Sequence, residues 1–136
     1  MDEQLRVQVR HRAADCCEYC SLPQTALPFA RFQVDHIIAE QHGGLSEFSN
    51  LALCCARCNL SKGPNLSGID SETGTIVTLF NPRTDKWHDH FEQREAIIVG
   101  LTPTGRATVH VLNMNEDRRV KLRASLQQPR RPRRRL

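Results

Sequence analysis

The chain has 136 residues, of which 39% are hydrophobic and 5% aromatic. That suffices for one domain with a modest core, and such cores usually lean on a metal, disulfides or a partner chain. No stretch approaches the ~20 consecutive apolar residues of a helical membrane span. The first residues, MDEQLRVQVRH, lack the apolar run of a signal peptide, so the expected setting is cytoplasmic, where disulfides are rare. The formal charge of +4 is uneven: residues 1–115 hold 10 basic and 13 acidic side chains, residues 116–136 hold 9 and 2. The basic end suits a polyanion, nucleic acid before anionic membrane, or simply keeps the chain soluble.

In chain order, Leu5, Val9, Arg12 and Ala13 recur at helical spacing and predict a first helix over 3–14. CCEYCSLPQ (16–24) forms a tight knuckle, and RFQVDHII (31–38) has the β-branched, apolar character of a strand. A loop over 40–50 is marked by Gly43-Gly44; a short strand, LALC (51–54), follows. A helix of one or two turns starts near 56 and stops at the Gly-Pro of KGPN (62–65). Further strands are expected within 73–82 and 96–101. Thr102-Pro103 caps and opens a helix, and the acids then bases of 115–126 suit the dipole of another. QQPRRPRRRL (127–136) reads as a disordered basic tail.

Two CxxC pairs, Cys17/Cys20 and Cys55/Cys58, are separated by 34 residues. Four thiolates so arranged suit a tetrahedral structural Zn²⁺; redox or disulfide chemistry and plain buried thiols are the alternatives. Cys16 and Cys54 precede each pair and leave a shifted ligand register open. Between the pairs lie Asp35 and His36, neighbours whose side chains leave opposite faces of a regular strand. Asp35 and the amide oxygen of Asn59 are candidate donors to a hard cation, Mg²⁺ or Mn²⁺. His36 is the side chain suited to take a proton from water near neutral pH. A plain Asp-His hydrogen-bonded pair is the competing interpretation. His42 lies in the glycine loop near these residues and is a weaker candidate for phosphate contact. His88, His90, Trp87 and Phe91 are expected to be packing or surface residues. Arg57 and Lys62 flank the short helix and are candidates for DNA-backbone contact, as are Arg130, Arg131, Arg133, Arg134 and Arg135.

The run CEYC … VDHIIAEQHGG … NLALCCARCNLSKGPN resembles the zinc-stapled branch of the HNH endonuclease family, over residues 15–65. The matching positions are His36, Asn50 and Asn59, an H-N-N form in which Asn59 replaces the commoner final His. Residues 66–126 look like the extension of some stand-alone bacterial members. The resemblance implies a small α+β fold: a ββα-metal core stapled by a four-cysteine zinc site, an N-terminal helix and a mixed α/β C-terminal extension. It gives a single domain over 1–126 (core 15–66, extension 67–126) followed by the tail. It further implies that His36 is the general base and that Asn50 braces its loop. Asp35 and Asn59 would hold one catalytic Mg²⁺ or Mn²⁺ for hydrolysis of DNA. Two other interpretations stay open: a zinc-stabilised nucleic-acid-binding module without catalysis, and a thiol redox protein.

Overall fold

A computed structural model describes residues 1–127. The arginines at 130, 131 and 133–135 lie outside the described residues. Gln127, expected to begin the tail, is instead the last residue of a helix.

Helix α1 (Glu3–Arg12) starts where the Asp2 carboxylate accepts the Leu5 N–H at 2.7 Å, and its basic last turn complements the helix dipole. Val9 is fully buried, with Leu5 and Ala13 packed beside it. Arg12 leaves the end of α1 to donate to the carbonyls of Phe48 and Leu51, its guanidinium 3.7 Å above the Phe48 ring. This fastens α1 to the segment that starts the second strand.

Strands β1 (Gln33–His36) and β2 (Leu51–Cys54) pair antiparallel, from Gln33 opposite Cys54 to His36 opposite Leu51. Every residue of β2 is buried, which explains its unbroken apolar sequence. Cys55 then caps α2 (Ala56–Lys62), which ends at Gly63 with a positive φ. Together β1, β2 and α2 form a ββα unit, and the loop between the strands spans 37–50.

The extension contains two hairpins and three helices. Strands β3 (Ser67–Ile69) and β4 (Ile76–Thr78) form the first hairpin. Asp70 organises its turn: Oδ2 accepts from Thr73 Oγ1 at 2.7 Å, and both oxygens accept from Arg106. A short helix α3 (Trp87–His90) leads into β5 (Phe91–Arg94), which pairs with β6 (Ile97–Gly100). Strands β3 and β5 were not expected from sequence. SGI is three residues long, and FEQR buries only Phe91, so neither carries an alternating apolar pattern.

Helix α4 (Pro103–Val111) has the expected start, with the Thr102 hydroxyl accepting the Gly105 N–H at 3.0 Å. Helix α5 (Asp117–Gln127) buries two arginines, Arg119 and Arg123. Arg119 donates to the Leu112 carbonyl and Arg123 to those of Ala96 and Met114, so α5 is held largely by guanidinium groups. The extension meets the core where Trp87 Nε1 donates to the Tyr19 carbonyl at 2.7 Å and Arg83 pairs with Glu18. No helix among the described residues is long and apolar enough to cross a membrane.

Gly105 lets α4 approach α3 closely, since a Cβ there would stand 2.1 Å from the His90 carbonyl oxygen. Gly105→Ala should therefore lower stability by about 1–3 kcal/mol despite alanine's better helix propensity. Urea unfolding of the two proteins measures this; an unchanged midpoint would contradict the packing described.

Candidate active site

The knuckle carrying Cys17 and Cys20 is shaped by its backbone. Cys17 N–H donates to the Leu22 carbonyl, Ser21 N–H donates to the Cys17 carbonyl, and Ser21 takes a left-handed φ of 66°. The second pair sits at the start of α2, where the Cys58 N–H approaches Cys55 Sγ at 3.4 Å. The Sγ atoms of Cys17, Cys20, Cys55 and Cys58 all lie within 4.8 Å of one another. The Cys20–Cys55 sulfur separation is 3.8 Å, close to the edge of about 3.8 Å expected for a tetrahedron with Zn–S bonds of ~2.3 Å. Cys54 is buried but outside this group, and Cys16 Sγ faces the Ala14 carbonyl; the x2 registers are the ones that converge.

Protonation in this cluster is uneven. Burial pushes Cys17 well above its ordinary range, and hydrogen bonding to Cys17 pushes Cys58 up. Hydrogen bonding from Cys17 holds Cys20 well below that range. Four thiolates need positive charge nearby, and the donor set fits Zn²⁺. Arg119 adds to it from α5, its Nη2 standing 2.8 Å from Cys58 Sγ. Burial opposes the Arg119 charge, but the negative sulfur of Cys58 and Cys20 outweighs it and holds the guanidinium firmly charged.

Asp35 and His36 point to different surroundings, as a regular strand requires. Gln33 and Asp35, two apart on β1, face Asn59 and Lys62, three apart on α2. Asn59 Nδ2 donates to Gln33 Oε1. Asp35 is 8% exposed; its Oδ2 accepts from Tyr19 at 3.2 Å and lies 3.3 Å from Lys62 Nζ. Burial raises the Asp35 carboxyl above its usual range, and the Lys62 ammonium and the Tyr19 hydroxyl offset part of that rise.

Lys62 corrects an expectation. It is 2% exposed, and its ammonium also donates to the His36 and Ile37 carbonyls, so it braces β1 from within and is not on a surface open to DNA. Arg57, by contrast, is exposed on the first turn of α2. The helical spacing from Asn59 could have placed Lys62 on the β1-facing side. Nothing local in the sequence distinguished Tyr19, Gln33 or Arg119.

His36 faces the loop. Its Nε2 is 2.9 Å from Ser46 Oγ and 3.4 Å from a Glu40 carboxylate oxygen. Asn50 ties this loop across its base: Oδ1 accepts the Ile38 N–H, and Nδ2 donates to the carbonyls of Ile38 and Leu45. Gly44 permits that clamp, because a Cβ there would fall 1.7 Å from the Ile38 oxygen and 2.9 Å from Asn50 Nδ2. His42 is exposed in the same loop and makes no side-chain bond to these residues. His88 is exposed, and His90 Nδ1 bonds Thr102 at 2.6 Å. Trp87 and Phe91 pack together at 5.1 Å between ring centres. His90, Trp87 and Phe91 thus make packing or hydrogen-bond contacts, and His88 lies at the surface.

The oxygen donors suit a hard divalent ion. Both bonds to the Asp35 carboxylate fall on Oδ2, and neither Asp35 Oδ1 nor Asn59 Oδ1 makes a hydrogen bond among the described residues. Two uncommitted oxygens on facing elements match what Mg²⁺ takes from protein, with water and phosphate completing its shell.

Two outcomes follow. The purified protein should hold about one Zn²⁺ per chain, measured by elemental analysis, and stripping it with a chelator should lower the melting temperature. Lys62→Met should cost about 3–5 kcal/mol by leaving Asp35 buried without its cation. The double variant Asp35→Asn/Lys62→Met should recover part of that loss in denaturant unfolding.

The HNH endonuclease family model matches residues 17–65. No curated protein and no solved structure matches the chain. The match spans the cysteine knuckle, both strands of the hairpin, the clamped loop and α2, so the whole ββα unit of this chain is similar to the HNH endonuclease domain.

Proposed function

We propose that the protein is a metal-dependent endonuclease that hydrolyses phosphodiester bonds in DNA. One observation carries this: a histidine with one nitrogen engaged and one free, in the same matched segment as two uncommitted oxygen donors. The Glu40 carboxylate and Ser46 hydroxyl near His36 Nε2 favour a proton on that nitrogen. That leaves Nδ1, which makes no bond among the described residues, to accept a proton from water as its oxygen attacks phosphorus. The P–O bond to the 3′ oxygen breaks as the new one forms. Asp35 and Asn59 would hold the Mg²⁺ or Mn²⁺, which when bound supplies charge stabilisation for the crowded phosphate and the departing oxygen. Asn50 keeps the loop, and with it Ser46 and Glu40, in place around the imidazole. The four-cysteine site is structural in this scheme. Arg57 and the arginines beyond residue 127 would add sequence-independent phosphate contacts.

Incubation with supercoiled plasmid tests this, with Mg²⁺, with Mn²⁺ and with EDTA. Nicked or linear product should require the metal. His36→Ala should lower the rate by roughly 10²–10⁴-fold, the usual contribution of a general base, and Asn59→Ala should raise the metal concentration needed for half-maximal cleavage. A protein that retains zinc and binds DNA but cuts neither plasmid nor short duplex is a binding module instead.

A further inference from the structure

Although residues 1–115 are net acidic, positive charge gathers at one place on their surface. Lys62, Arg83, Arg94 and Arg106 each pair with a carboxylate, and Arg12 is committed to two carbonyls and the Phe48 ring. Of the cations that make no ion pair among the described residues, Arg57 and Lys86 stand on other elements, whereas Arg6, Arg10 and Arg31 come together. All three line one open groove of about 390 Å³ whose floor continues through Phe32 to Gln33 and Val34.

Local structure assembles this groove. Arg6 and Arg10 are four apart on α1 and so share a face. Arg10 is anchored by donating to the Phe32 carbonyl, which brings its guanidinium beside Arg31, and Arg6 and Arg31 remain exposed. Burial first, and then the neighbouring Arg31 charge, pull Arg10 below its ordinary value, with Asp15 and Glu3 offsetting part. Glu3 is the one acidic residue on the groove wall. Like charges held together without ion-pair partners are relieved by an anion that spans them. The groove also has a direction. Gln33 in its lining holds Asn59 through its side chain, and His36 lies three residues further along β1. At about 3.3 Å per strand residue that is ~10 Å, roughly three nucleotides of rise along one DNA strand.

We propose that Arg6, Arg10 and Arg31 form a phosphate track along which the DNA backbone enters the site, contacting it several nucleotides from the bond to be cut. This rests on the nuclease reading for its direction but not for its chemistry, which is recognition of backbone phosphates whatever the base sequence. Arg6 and Arg31 are exposed and their side chains make no hydrogen bond among the described residues, so replacing them leaves the fold intact; Arg10 is structural as well.

The test is binding of a fluorescein-labelled duplex of about 30 base pairs, followed by anisotropy at several salt concentrations, in the His36→Ala background so that DNA stays whole. Arg6→Gln/Arg31→Gln should make the slope of log affinity against log salt shallower by about 1.8, since each phosphate contact contributes ~0.9. Affinity near ~100 mM salt should fall by roughly an order of magnitude. A charge-matched control, Lys86→Gln/Arg94→Gln, should change the slope far less. Equal changes in the two double variants would overturn the track. Plasmid cleavage by the protein with His36 intact is scored separately. Failure to cleave, with the slopes differing as expected, removes the nuclease reading and leaves the track standing; cleavage with matched slopes does the reverse.

Discussion

Bringing Cys17 and Cys20 against Cys55 and Cys58 joins positions 35 apart in the chain, and the catalytic candidates all lie within or beside the loop so closed. A metal held there would bind the folded chain and not the unfolded one, so its binding free energy would add to the stability of the fold. The closure matters here because the core is small and the cysteines are themselves part of it: Cys17, Cys20, Cys54, Cys55 and Cys58 are all among its buried residues. The sulfur cluster is thus a candidate metal site and at the same time a share of the packing.

That closure places α2 across one face of β1, and the consequences differ for the two sides of the strand. Towards α2, Gln33 meets Asn59 and Asp35 meets Lys62, so polar partners hold the helix in register. Away from it, His36 faces a loop whose base is tied by Asn50 and whose tightness depends on Gly44. A buried ion pair such as Asp35–Lys62 contributes little net stability, because desolvation offsets attraction. Its value here lies in geometry: the lysine fixes one carboxylate oxygen and leaves the other free, while bonding the carbonyl of the histidine next along the strand.

The extension is coupled to the same cluster through Arg119, which reaches from α5 to the Cys58 sulfur while also gripping the Leu112 and Asn113 carbonyls at the end of α4. Guanidinium groups suit this work, since their fixed fork can serve a sulfur and two carbonyls at once and stays charged when buried. The chain therefore places cations in two different ways. Arg119 and Arg123 of α5 turn inward onto sulfur and backbone; Arg6, Arg10 and Arg31 at the other end of the chain line an open groove without carboxylate partners among the described residues.

The ββα core was legible from sequence because its determinants are local or come as spaced motifs. The cysteine pairs specified the cluster, LALC the buried strand, Cys55 and Gly63 the limits of α2, and Thr102-Pro103 the start of α4. Asp35 and His36 were placed on opposite faces by strand alternation alone. The hairpins β3–β4 and β5–β6 were only half visible, since SGI and FEQR have no periodic apolar face and become strands by pairing with a partner that does. Lys62 looked like a surface cation until tertiary packing gave it Asp35 and two carbonyls. Arg119 and Arg123 lay in a charged helix whose pattern marked no buried side, yet both are buried, because the groups that neutralise or accept from them come from distant segments. Residue types and spacings thus determined which atoms are chemically competent. Which of them are free to act was decided only by the fold, because commitment of a side chain depends on partners far away in sequence.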